Sequence, residues 1–87
     1  MRIPSVASRQ FWQAFRQLPR DVRKAATRAY RMWAQDAFHP SLHFKKVRDD
    51  LWSVRIGLNY RAIGTFHDER IIWVWIGSHA EYNALLR

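Results

Sequence analysis

LWSVRIGLNYRAIGTFHDERIIWVWIGSHAEYNALLR, residues 51–87, is the stretch that decides the fold. Trp52, Val54 and Ile56 alternate with Ser53 and Arg55, the period of two that marks a half-buried strand. Gly57-Leu58-Asn59 supplies turn chemistry, so Tyr60 to Phe66 is expected to run back antiparallel. His67-Asp68-Glu69-Arg70 is a second polar turn. Ile71 to Ile76 is apolar on both faces, as expected for a strand inside a sheet covered on each side. Gly77 breaks that run. Ser78 and Glu81, three positions apart, form a capping box that opens a short helix through Leu85 and Leu86.

Upstream the period is helical. Ser8 is a candidate N-cap, with Phe11, Trp12, Phe15 and Leu18 on one face of a first helix. Pro19 suits the opening of a second helix, where its missing N–H costs little. Val22, Ala26, Ala29, Tyr30, Trp33 and Ala37 form its apolar stripe; Arg20, Arg23, Lys24, Arg28 and Arg31 lie mostly off it. His39-Pro40 is expected to end the helix, because a residue before proline is pushed out of the α region. Ser41 to Val47 reads as a short strand or its approach, and residues 1–7 as a frayed segment or an edge strand. The order is (β)-α-α-β-β-β-α. It predicts an α+β protein in which two N-terminal helices, a hairpin with a basic outer face, pack on a small antiparallel sheet. Trp12, Trp33, Trp73 and Trp75 all fall at apolar periodic positions and are expected in the core.

Composition bounds what such a fold can do. The chain has 87 residues, with no repeats and no linker, and predicts a single domain over 1–87. A hydrophobic content of 48% excludes a disordered chain. Fifteen basic against seven acidic residues give a net charge of +8, and the pI is near 11.1. That excess favours RNA, DNA, an acidic protein partner or an anionic surface. The lack of cysteine excludes a disulfide framework and a thiolate metal site, and fits a cytoplasmic protein. No signal-like segment follows Met1, and no apolar run approaches the ~18 residues of a membrane span, so no membrane partner is expected. There is no phosphate-binding P-loop, paired-carboxylate signature or serine nucleophile motif. His39, His43 and His67 lack metal-ligand spacing, so neither a metal nor a small-molecule cofactor is expected.

The candidate site residues are those that break the apolar pattern. Arg55 and Arg61 have the opposite parity to their apolar neighbours and lie on strands joined by a short turn, so they can meet across the ladder on one face. Both are permanently charged and can fork onto phosphate oxygens. His79 stands in the first turn of the closing helix, directly after a strand, and imidazole is the side chain suited to proton transfer near neutral pH. Tyr82, one turn on, shares its face. Lys45 and Lys46 lead into the sheet, and which of them faces Arg55 is left open by the sequence. Residues 1–35 carry eight basic residues against Asp21 alone; Arg23 and Lys24 there are candidates for RNA contact or for an acidic partner helix.

WSVRIGLNYRAIG, the strand ending IIWVWIG, the tail SHAEYNALL and the preceding PRDVRKAATRAYRMWAQDAFHPSLHFKKV together resemble the RelE/ParE superfamily of bacterial type II toxins, over about residues 8–86. The resemblance implies a toxin silenced by a cognate antitoxin. In its nuclease branch the activity is metal-independent cleavage of mRNA on the ribosome, which blocks translation. In that branch Arg55 and Arg61 bind and stabilise the phosphate, His79 transfers a proton, Tyr82 orients the phosphate or stacks on a base, and Lys45 or Lys46 adds a basic group. Another branch inhibits DNA gyrase and cuts nothing. Many nucleases of the family carry a second basic residue two positions before the one matching Arg55, where this chain has Ser53, and an arginine near His79. These departures keep open a gyrase inhibitor, and a catalytically weak member that acts mainly through its antitoxin.

Overall fold

The alternation read in the second half becomes three antiparallel strands, β3 (Leu51–Ile56), β4 (Tyr60–His67) and β5 (Arg70–Ser78), followed by α3 (His79–Leu85); β1, α1, α2 and β2 are Ser5–Ala7, Arg9–Arg16, Arg20–Gln35 and Lys45–Arg48. The computed structural model describes all residues, 1–87. Four strands follow the two helices rather than three, and the sheet order is β1-β5-β4-β3-β2. β2 to β5 are antiparallel, but β1 pairs with β5 in parallel, Val6 opposite Ile72, so the sheet is mixed rather than purely antiparallel. Two helices and three strands separate β1 from β5 in the chain, so no tight turn obliges the pair to be antiparallel. Ser8 fixes the exit from β1: its N–H donates to the Trp73 carbonyl at 2.9 Å, and its hydroxyl accepts the Phe11 N–H at 3.1 Å.

The second helix stops at Gln35, four residues before the expected His39. Asp36 offers the backbone another partner: its carboxylate accepts the Phe38 N–H at 3.2 Å and the Met1 amino group at 3.1 Å. Ala37 N–H then donates to the Met1 carbonyl at 2.9 Å. Pro40–Leu42 forms one 3₁₀ turn, opened by His39, whose Nδ1 accepts the Ser41 N–H. The strand starts only at Lys45, because His43 takes a left-handed conformation with φ 47°, and runs one residue past the expected segment, to Arg48.

Packing is organised around Trp33, 1% exposed, whose ring meets Phe44 and Trp73 edge-on at 5.7 and 5.2 Å. Truncating a buried aromatic of this kind costs ~3–5 kcal/mol. Leu42, Val54, Ile56, Ala62, Ile71 and Ile76 complete this core on the helix-bearing face of the sheet. α1 and α2 pack on the sheet rather than on each other, so the expected hairpin is splayed. α1 buries no residue fully, and Trp12 is 45% exposed, not in the core. Trp75 is not in it either. Ile63 pairs with Trp75 and Gly64 with Trp73, leaving Val74 unpaired; this bulge puts Trp73 and Ile76 on the helix face and turns Trp75 to the other. Gly64 makes room for the turn of the strand, since a Cβ there would lie 2.7 Å from the Ile71 side chain and 2.9 Å from the Trp73 ring. No helix is long and apolar enough to cross a membrane.

Candidate functional site

The hairpin between β3 and β4 builds the site. Gly57 turns the chain with φ +60°, a conformation that costs glycine little. Ile56 then pairs with Tyr60 and Arg55 with Arg61, directly across the ladder. Like charges in that position repel, and solvent at the half-exposed groups reduces that repulsion. No carboxylate relieves it, since the ion pairs of the chain are Met1 with Asp36 and His67 with Asp68. Turn carbonyls hold the guanidiniums instead. Arg55 Nε donates to the Gly57 carbonyl at 3.1 Å, and Arg61 Nη1 to that of Tyr60 at 2.7 Å, with longer reaches to Gly57 and Leu58 at 3.5 Å. Burial lowers the Arg61 pKa, the Arg55 charge adds to that, and Tyr82 pulls the other way. Arg61 nonetheless stays cationic at physiological pH.

α3 closes the site from the sheet face opposite α1 and α2 and is held along its length. Its start is set by the His79 N–H, which donates to the Asn59 carbonyl of the hairpin turn at 2.7 Å. The capping box is complete: Ser78 N–H donates to the Glu81 carboxylate at 3.0 Å and Glu81 N–H to the Ser78 hydroxyl at 3.1 Å. Those bonds to Ser78 hold the Glu81 carboxyl below the usual glutamate range. Midway, Tyr82 is 9% exposed and its hydroxyl bonds that of Ser53, 3% exposed, at 3.1 Å. At the end, the Arg48 guanidinium donates to the Leu86 carbonyl.

Between these elements lies a pocket of about 120 Å³ lined by His43, Lys45, Ser53, Arg55, Arg61, His79 and Tyr82. Its lining holds no acidic side chain. The geometry therefore gathers Arg55, Arg61, His79, Tyr82 and Lys45 into one concavity that suits a phosphate in size and charge. The register separates the two lysines: Lys45 pairs with Ser53 and faces the pocket, while Lys46 pairs with Trp52 on the opposite face. Arg23 and Lys24 lie on α2, across the sheet, and Arg23 is turned back onto the Leu18 carbonyl. Tyr82, buried and bonded to Ser53, sets the pocket wall and presents no free ring for stacking. Two lining residues were not expected at the site from sequence: His43, and Ser53, noted there only as a departure from the family's basic residue. Ser53 shares the parity of Arg55, which would have placed it. His43 stands two positions before Lys45, but its left-handed turn hides the alternation. No three His, Cys, Asp or Glu side chains converge to hold a metal.

The Ser53–Tyr82 bond generates a prediction. Ser53→Ala and Tyr82→Phe each strand one buried hydroxyl and should each lose about 1–3 kcal/mol, whereas the double variant should recover part of that loss. A urea double-mutant cycle measures the coupling; strictly additive losses would remove the bond from the account.

The comparisons with known proteins bear on the fold and the family. No curated protein matches the chain in sequence. Among solved structures it is similar to a chain of the RelBE2 toxin–antitoxin complex of Mycobacterium tuberculosis, with 14% identity, TM-score 0.70, and 91% of this chain and 100% of that chain covered. A chain of the RelB–RelE antitoxin–toxin complex of Methanococcus jannaschii gives 16% identity, TM-score 0.69, and coverage of 94% and 99%. A conserved hypothetical protein of Helicobacter pylori gives 13%, 0.67, and coverage of 90% and 96%. At such identities the likeness shows the fold. The family model of the ParE-like toxin domain matches residues 20–84, from the start of α2 into α3, and the chain belongs to that family of the RelE/ParE superfamily.

Proposed function

We propose that the pocket is the catalytic centre of a metal-independent endoribonuclease that cleaves ribosome-bound mRNA, the toxin of a toxin–antitoxin pair acting in the cytoplasm. The observation that carries this reading is the Arg55–Arg61 pair, two guanidiniums placed opposite each other without a carboxylate. An RNA phosphate between them relieves their repulsion, and the same fork stabilises the extra negative charge of a pentacoordinate phosphorane. Lys45 adds a third cation, His79 moves a proton, and Tyr82, fixed by Ser53, holds the wall against which the phosphate seats. The lining has no carboxylate with which to bind a divalent cation, so charge stabilisation falls to the arginines.

The partner reading rests on the other face. A cleft of about 480 Å³ opens between α1, α2 and the sheet, lined by Phe11, Trp12, Phe15, Tyr30 and Trp33 among others. Exposed Arg9, Arg16, Lys24, Arg28 and Arg31 lie on the helices that form it. Apolar floor and basic surroundings suit an acidic amphipathic helix of the cognate antitoxin; the toxin–antitoxin complexes among the structural neighbours favour the same partner class.

Two outcomes test these readings. Primer extension on a reporter mRNA in a reconstituted translation system should give ribosome-dependent cuts that fall ~10²-fold or more in Arg61→Ala and in His79→Ala. Intact mRNA, with toxicity that survives both substitutions but is abolished by charge reversal at Arg23 and Lys24, would instead identify a gyrase inhibitor working through α2. Trp12→Ala should weaken antitoxin binding by at least about tenfold, as truncation of a central aromatic does, with cleavage unchanged. Equal affinity in a titration would place the antitoxin elsewhere.

A further inference from the structure

We propose that His43 is a second proton-transfer residue of the pocket and works with His79 as an acid–base pair, an assignment that rests on the ribonuclease reading above. His43 is the lining residue that periodicity passes over, and its position is built rather than incidental. It follows the 3₁₀ turn of Pro40–Leu42, donates its N–H to the Pro40 carbonyl at 3.3 Å, and holds φ at 47°. That conformation is uncommon for a residue with a side chain. The chain neighbours Leu42 and Phe44 are buried and fix the backbone on either side, while His43 itself is exposed and lines the cationic pocket. A left-handed residue with a side chain, set between two buried neighbours at the wall of a site, is the kind of position where backbone strain serves chemistry.

The strand order sets the geometry. His79 approaches from the start of α3, anchored on the β3–β4 turn, and His43 from the far side, at the entry to β2. Arg61 on β4 and Arg55 on β3 stand between them. In-line cleavage of RNA needs that division, because the attacking and leaving oxygens lie on opposite sides of phosphorus. The remaining lining groups do not fill the second role. Arginine does not give up its proton at physiological pH, and the Ser53 and Tyr82 hydroxyls are bonded to each other. Lysine ordinarily titrates near 10.4, far from neutrality. The groups facing His43 are Lys45 from β2, Arg55 from β3, Arg61 from β4, and His79 and Tyr82 from α3.

The step balances. One neutral imidazole takes the proton as the 2′-O–H bond breaks and the 2′-oxygen bonds to phosphorus. The other, protonated, gives its proton to the 5′-oxygen as the P–O5′ bond breaks. The products are a 2′,3′-cyclic phosphate and a 5′-hydroxyl, and exchange with water resets the two imidazoles.

The test is the pH–rate profile of cleavage of a reporter mRNA on ribosomes for wild type, His43→Asn and His43→Ala. Asparagine tolerates the left-handed backbone and lacks the imidazole, so it separates chemistry from folding. The expected result is a ~10²-fold loss in both variants with unchanged circular dichroism. One limb of the bell-shaped profile should vanish, and added imidazole should restore activity to His43→Ala. The lost limb assigns the role: loss of the acidic limb makes His43 the base, loss of the alkaline limb the acid. Cleavage by His43→Asn within about threefold of wild type, with both limbs kept, would overturn the assignment. A wild-type protein that cleaves no RNA at any pH would instead overturn the ribonuclease reading, and this assignment with it.

Discussion

The register of one hairpin sets the terms for the rest of the molecule. Gly57 lets the chain turn so that Arg55 and Arg61 face each other across β3 and β4. A slip of one residue would move one arginine to the apolar face and bring an aliphatic side chain into its place. The apolar contacts of Val54, Ile56 and Ala62 with the core prevent that slip, so the same packing that stabilises the sheet holds two like charges together. Their repulsion remains in the folded protein, moderated by the turn carbonyls and by solvent.

Around that pair the protein divides its labour between the two faces of one sheet. One face carries α1, α2 and the large apolar cleft; the other carries α3 and the small cationic pocket. The bulge at Val74 is what allows this, because it assigns Trp73 and Ile76 to the helix core and leaves Trp75 and Gly77 to the α3 face. α3 is too short to stand alone, yet it is fixed at its start, middle and end by Asn59, Ser53 and Arg48. A partner seated on the helix face need not enter the pocket to act, since β3 and β4 supply residues to both.

Much of this was legible in the sequence, for identifiable reasons. The β3–β4 hairpin follows from a period of two interrupted by Gly57-Leu58-Asn59, and the start of α3 from Ser78 and Glu81, all local signals. Ser8 as an N-cap was local as well. The early stop of α2 was not, because it depends on Met1 meeting Asp36 across 35 positions. The parallel pairing of β1 was hidden in three residues with no turn signal. Trp75 and Trp12 were misplaced by periodicity: a bulge reverses parity in β5, and the splayed α1 leaves its aromatic face half open. Within the site, Arg55 and Arg61 stood out as polar residues at fixed offsets in apolar strands, and His79 as an imidazole in the first turn of the closing helix. Choosing Lys45 over Lys46 needed the register, and finding His43 needed a backbone angle.

The central claim is that a nucleic-acid phosphate docks between Arg55 and Arg61, and arginine side-chain NMR reads it directly. A short RNA carrying 2′-O-methyl groups, which blocks cleavage, would be titrated while the Nε–Hε signals are followed. The account predicts that Arg55 and Arg61 shift together and saturate at one RNA concentration, with affinity falling as salt rises. Saturating shifts confined to Arg23, Arg28 and Arg31, with the hairpin pair unmoved, would contradict it.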